Sequence, residues 1–162
     1  MNKRTLIIMI GIPGSGKSTL ANEISDKYRI PIVSSDAIRK QLYGDESIQG
    51  NYDEVFDEVY RQINKWIECG ACIYDATNTR KMWRYAAIAR VLPDEVVYIT
   101  VDTELDTALT RNANRERFCP ERVIYRMHEQ FKQEYPSLKE CKNLKIFSSK
   151  NKNLLFDYLK TL

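Results

Sequence analysis

The chain has 162 residues, 43% of them hydrophobic and 29% charged, with 25 basic side chains against 22 acidic ones for a net charge of +3. That length predicts a single domain over 1–162, large enough to bury a core without disulfides or a structural metal. The longest apolar run, Leu6 to Ile10, is far shorter than the ~20 residues of a membrane helix, and the charge excess falls short of the strongly basic profile of a dedicated nucleic-acid binder.

Met1-Asn2-Lys3-Arg4 is basic, but the apolar stretch after it runs into a glycine-rich loop instead of a cleavage site. No export signal is therefore expected, and a cytoplasmic protein with reduced cysteines at 69, 72, 119 and 141 follows. Cys69 and Cys72 have a zinc-like spacing, yet there is no second close pair and the only histidine is His128. Free thiols are expected there.

Leu6-Ile7-Ile8-Met9-Ile10 reads as a strand buried on both faces. A helix is expected from Ser18 to Tyr28, a short strand at 31–34, and a short helix from Asp36 to Leu42 ended by Gly44. The polar segment 44–51 reads as a mobile loop. Tyr52 to Glu68 carries the longest helical pattern, with Val55, Phe56, Val59, Ile63, Trp66 and Ile67 at three- and four-residue spacing. A strand at 72–74, a helix over Lys81 to Val91 and a strand at 96–101 follow. Helices at about 104–112 and 120–134, a strand at 144–147 and a helix over 151–161 complete the chain. Five strands alternating with helices predict an α/β fold, a five-stranded, mainly parallel sheet flanked by helices.

The strongest motif is Gly11-Ile-Pro13-Gly14-Ser15-Gly16-Lys17-Ser18-Thr19, which fits G-x-x-x-x-G-K-[ST] between a strand and a helix. Its glycines allow backbone amides to curl round a phosphate, and the helix N-terminus adds partial positive charge. Lys17 is placed to reach the β- and γ-phosphates of ATP, and the Ser18 hydroxyl to bind Mg²⁺. The Asn-Lys pairs of the chain lack the Asp of a GTPase base-reading motif, and the chain is short for a motor. A small kinase with a helical lid at about 111–126 remains.

Three further places bear on that reading. Ser34-Ser35-Asp36 ends the second strand on the ligand edge of the sheet. Asp36 there is either a base for the acceptor hydroxyl or an ordinary helix cap. Arg39, three residues on, shares its face and suits an anionic acceptor group. Asp75 ends the third strand, where it orients Arg39, serves the metal's water shell, or simply closes a turn. Segment 111–126 holds five arginines and two glutamates, leaving the remainder balanced at 20 basic against 20 acidic residues. It is either a lid, with Arg115 contributing most and Arg117 less, or a solvated basic helix pair.

On the acceptor side, Tyr43, Tyr52, Trp83 and Tyr85 are available for base stacking or for packing, and Ser148 to Asn151 is a place for adenine contacts. His128 reads as partly buried packing.

Taken together, G-x-P-G-S-G-K-S-T, S-D-x-x-R, D-A-T-N and R-N-x-x-R resemble the kinase domain of bacteriophage-type 5′-hydroxyl polynucleotide kinase over about 5–147. The resemblance implies that Lys17 and Ser18 serve ATP and Mg²⁺, that Asp36 is the general base, and that Arg39 grips the acceptor's phosphate. It further implies that Asp75 supports that grip and that Arg115 meets the donor phosphates. The implied acceptor is the 5′-hydroxyl end of DNA or RNA. The phage enzyme also carries a fused phosphatase domain for which this chain has no room. Nucleoside, nucleotide, sugar and other small-molecule kinases are similar in architecture, and a non-catalytic ATP-binding module is the alternative of a different class.

Overall fold

Thr5–Ile10 is buried at every position and forms β1, the middle strand of a sheet. The structure, a computed structural model, describes residues 3–162; Met1 and Asn2 of the basic N-terminal stretch lie outside the described residues. After β1 come α1 (Lys17–Tyr28), β2 (Ile32–Ser34), α2 (Ser35–Tyr43), α3 (Tyr52–Ile67) and β3 (Ala71–Asp75). Then follow α4 (Lys81–Val91), β4 (Glu95–Thr100), α5 (Leu105–Ala113), α6 (Glu121–Gln133), β5 (Leu144–Ser148) and α7 (Lys152–Leu159). The expected elements are all present, with boundaries shifted by one or two residues. Pro120 does not open α6 from within but caps it from outside.

The five strands are all parallel in the order β2-β3-β1-β4-β5. The chain builds one side of β1 with β2 and β3, then crosses to the other side for β4 and β5. The loop after β1 therefore lies where the order reverses, the usual ligand position in open α/β sheets.

Alternate residues of β1 serve two cores, which explains its unbroken apolar sequence. Leu6, Ile8 and Ile10 pack with α3 and α4 residues such as Val55, Val59, Ile63 and Ala87. Ile7 and Met9 face α1 and α7 through Leu20, Ile24, Leu155 and Leu159. A third, small cluster of Ile12, Ala108 and Ile124 joins the loop after β1 to α5 and α6.

Local chemistry fixes the helix ends nearest the sheet edge. Ser34 caps α2 by accepting from the Ala37 amide at 3.4 Å, and Gly44, at φ +79°, ends that helix in the left-handed region. Asp36 is thus free of the capping role that its position in the sequence left open. Asn51 caps α3 by accepting from the Glu54 amide at 3.1 Å. Segment 44–51 is an irregular loop in which Asp45 accepts from both the amide and the hydroxyl of Ser47 at 2.7 Å.

Candidate phosphoryl-transfer site

The loop between β1 and α1 takes its shape from glycines. Gly14 and Gly16 have φ of +80° and +96°, and a Cβ at Gly14 would overlap the Ala108 carbonyl of α5. The Gly11 amide donates to the Thr77 carbonyl at 3.0 Å, and the Ser15 amide to the Ile12 carbonyl at 3.2 Å. The Ser15 carbonyl accepts from Thr103 Oγ1 at 2.7 Å and from Arg111 Nη1 at 3.3 Å. Sequence reasoning placed Arg111 only within the lid; the structure sets it against this loop. No acidic residue occupies the first turn of α1. Its N-terminal partial charge is therefore left for an anion.

Lys17 is buried, with Nζ donating to the Ile12 carbonyl at 3.3 Å. Burial pushes its pKa down, against the pull of the Asp75 and Asp36 carboxylates. Ser18 follows on the exposed side of the turn, and its Oγ donates to Asp75 Oδ2 at 2.7 Å. Asp75 is itself buried; burial pushes its carboxyl pKa up, opposed by the Lys17 charge and the Ser18 hydrogen bond. A hydroxyl and a carboxylate on adjacent elements beside an anion cradle are a donor set that fits Mg²⁺, which takes one or two protein oxygens and completes its shell with water and phosphate. Thr19 lies exposed on the same turn and lines neither cavity of the site.

Across the cleft, Asp36 stands in the first turn of α2. Arg39 Nη1 donates to its Oδ1 at 3.2 Å, and Arg117 forms an ion pair with its Oδ2. Two contacts here differ from the expected pairing. Asp75 does not orient Arg39: it is taken by Ser18, while Arg39 is held by Asp36 and lies 5.9 Å over the Phe56 ring. The reason is positional, because the end of β3 faces the first turn of α1. Arg115 and Arg117 both line the cleft, but it is Arg117 that pairs with Asp36. Arg115 Nε donates to the Arg117 carbonyl at 2.8 Å, and this leaves Arg117 to reach Asp36 and, at 4.0 Å, Glu46.

Two cavities of about 600 Å³ each meet at this point and share Ser18, Asp36, Asp75, Arg115 and Arg117 in their walls. One continues past Asn22, Lys40 and Glu46 along α1 and α2. The other also takes in Pro13 and Lys17 and runs under Arg39, Tyr52, Phe56, Trp83 and Arg126. Of the four aromatics named above, only Tyr52 and Trp83 line it. Tyr43 donates to Glu54 and accepts from the Asn51 amide, and Tyr85 points to solvent. His128 is half-buried in α6. Residues 149–151 form a single 3-10 turn after β5.

The segment after Asp75 is tied to the phosphate loop. Asn78 adopts φ +47°, and its Nδ2 donates to the Met9 carbonyl at 3.0 Å. Nothing in the sequence beyond the place of Asn78 at the end of D-A-T-N, the motif that Asp75 opens, marked that role.

The model of a family described as "AAA domain" matches residues 6–134. A shikimate kinase from Paracidovorax citrulli is 34% identical over 59 residues, covering 36% of this chain and 32% of that protein. A shikimate kinase from Dehalococcoides mccartyi is 27% identical over 134 residues, covering 75% of this chain and 72% of that protein. The matched segment thus spans about a third of the first relative and nearly three quarters of the second. Among solved structures, a chain of the Pnkp1/Rnl/Hen1 RNA repair complex superposes with a TM-score of 0.73 at 19% identity, covering 82% of this chain and 45% of that one. That likeness is one of fold.

Proposed function

We propose that this chain, which belongs to the AAA domain family matched over residues 6–134, transfers the γ-phosphate of ATP to a hydroxyl of a small anionic acceptor. The observation that carries the reading is the shared wall of the two cavities. It sets Ser18 and Asp75 beside Asp36 and two lid arginines, with Lys17 and Arg39 in the wall of one of the two cavities. Asp36 supplies the carboxylate that a transferase needs for the proton of an acceptor hydroxyl.

In this reading the backbone of 11–16 and the α1 N-terminus cradle the donor phosphates, and Lys17 lies along them. Ser18 and Asp75 hold Mg²⁺, which when bound neutralises charge on the phosphate oxygens. The acceptor oxygen attacks the γ-phosphorus, its proton passes to an Asp36 oxygen, and the bond to the bridging oxygen of ADP breaks. Arg117 and Arg115 meet the charge on the transferring group. For Arg117 this means leaving Asp36, whose carboxylate is then released to accept the proton. Arg39, partly buried over Phe56 with its Nε unpartnered, receives an anionic group of the acceptor. A cavity of about 600 Å³ suits a small molecule, as do the shikimate kinases among the relatives.

A 5′-hydroxyl end of DNA or RNA is a second reading, favoured by Tyr52 and Trp83 in the same cavity, where a terminal base has rings to stack on. Transfer from γ-labelled ATP with Mg²⁺ separates the two. The panel comprises sugars, shikimate-like polyols, nucleosides, mononucleotides and 5′-hydroxyl oligonucleotides. We expect label on a small acceptor. Label confined to oligonucleotide ends overturns that reading, and ATP binding without label on any acceptor sinks transferase function.

A further inference from the structure

Arg84 lies in the first half of α4, where nothing in the sequence sets it apart from the other cations of the chain. It is wholly buried, and so is the carboxylate it faces, Glu140. Its Nε and Nη2 donate to the two Glu140 oxygens at 2.9 and 2.7 Å, a bidentate pair. The remaining donors go to backbone carbonyls: Nη1 to Asn78 at 3.0 Å and Thr79 at 3.3 Å, and Nη2 to Glu134 at 2.7 Å. Tyr98 also donates to Glu140, at 3.1 Å.

The three carbonyls belong to two places that bear on the site. Residues 78 and 79 lie in the β3–α4 loop, whose Ala76, Thr77 and Asn78 line the acceptor cavity and whose Thr77 and Asn78 bond to the phosphate loop and to β1. Glu134 caps the C-terminal end of α6, the helix whose first half carries Arg126 and Met127 into the same cavity. Two further bonds run between the same pieces: Thr79 Oγ1 donates to Gln130 Oε1 at 3.2 Å, and the Lys81 amide to Glu134 Oε2 at 2.5 Å.

A buried ion pair is a poor device for stability alone, since apolar residues of like volume commonly do as well. A planar guanidinium that bridges three carbonyls of two segments fixes geometry, and a lysine cannot copy it. We infer that Arg84 is a positioning residue that locks the β3–α4 loop to the C-terminal end of α6, so that the acceptor side of the cleft and the lid arm respond as one body when nucleotide binds. This rests on the nucleotide reading above but needs no knowledge of the acceptor.

Amide hydrogen exchange with and without Mg²⁺ and the non-hydrolysable analogue AMP-PNP tests it. In the unaltered protein the analogue should slow exchange both in 114–120 and in 76–80. The variant R84M/E140Q removes the three carbonyl contacts and leaves no unpaired buried charge. It should keep nucleotide-linked slowing in 114–120 and lose it in 76–80. V97A, which trims the core on the far face of the sheet, is the control for lowered stability and should keep both. Slowing in both segments of R84M/E140Q overturns the inference, as does equal loss of the 76–80 response in V97A. Absence of slowing at 114–120 in the unaltered protein instead overturns the nucleotide reading and the inference with it.

Discussion

Ser18 Oγ donates to Asp75 Oδ2 at 2.7 Å, joining the first turn of α1 to the end of β3 across 57 positions of sequence. The bond places a carboxylate directly behind the phosphate loop in a buried setting that disfavours its charge. A group kept there at the expense of stability is a mark of a functional site.

Asp75→Asn should therefore abolish Mg²⁺-dependent transfer and leave the melting temperature at pH 7 equal to or above that of the unaltered protein. The sign follows from linkage. The folded-state pKa of Asp75 lies above its unfolded value, so ionising it destabilises the fold as pH rises through that raised value. The advantage of Asn should shrink as pH is lowered to where Asp75 holds its proton. Thermal melts across pH check it; a variant less stable than the original at neutral pH contradicts it.

Asp36→Asn should reduce transfer by about 10²–10⁴-fold, the range for a general base, while ATP binding persists. Lys17→Ala should lose transfer with the fold intact. Equilibrium binding of a fluorescent ATP analogue beside a single-turnover assay separates the two effects.

Arg117→Ala should lower kcat by about 10²–10³-fold, the usual loss for one charge-stabilising donor. We expect Arg115→Ala to act partly through Arg117, because Arg115 holds the Arg117 carbonyl. The double variant should then lose less than the two single losses multiplied together. Fully multiplicative losses would show that the two arginines act independently.

Gly14→Ala places a Cβ on the Ala108 carbonyl at a backbone φ of +80°. A strained left-handed residue alone costs about 1–3 kcal/mol, so a lowered melting temperature together with lost nucleotide binding is expected. Calorimetry with and without MgATP measures both.

Cysteine reactivity should divide the two thiols of the C-x-x-C pair. Cys72 lies in β3, where burial pushes its pKa up to about 12, whereas Cys69 is exposed on the turn before it. Labelling with a thiol-disulfide reagent at pH 8 should reach Cys69 in the native protein and Cys72 only on unfolding.

The fold was readable because its signals are local. An unbroken apolar run, the glycine-rich turn and the periodicity of α3 each specify one element without reference to the rest. Asp36 and Arg39 were readable as a pair for the same reason, being one helical turn apart. The partner of Asp75 was not, since only the sheet brings Ser18 to it. The contact of Arg117 with Asp36 was not readable either, because Arg117 lies in a non-periodic loop whose path no spacing rule supplies. The burial of Arg84 was invisible, since arginine on a helix ordinarily faces water and its partner Glu140 is 56 residues away.

Ser34, Asp75 and Met9 occupy one rung of the parallel sheet. Side chains in a strand alternate sides with each residue, so the direction in which Asp75 projects depends on whether an even or odd number of residues separates it from the rung where β3 first joins β1. Deleting a single residue from β3 would leave every reacting group in the sequence and turn this carboxylate to the opposite side of the sheet. The chemistry of the cleft is thus tied to the parity of one five-residue strand, a constraint on insertions and deletions that no substitution at the site would reveal.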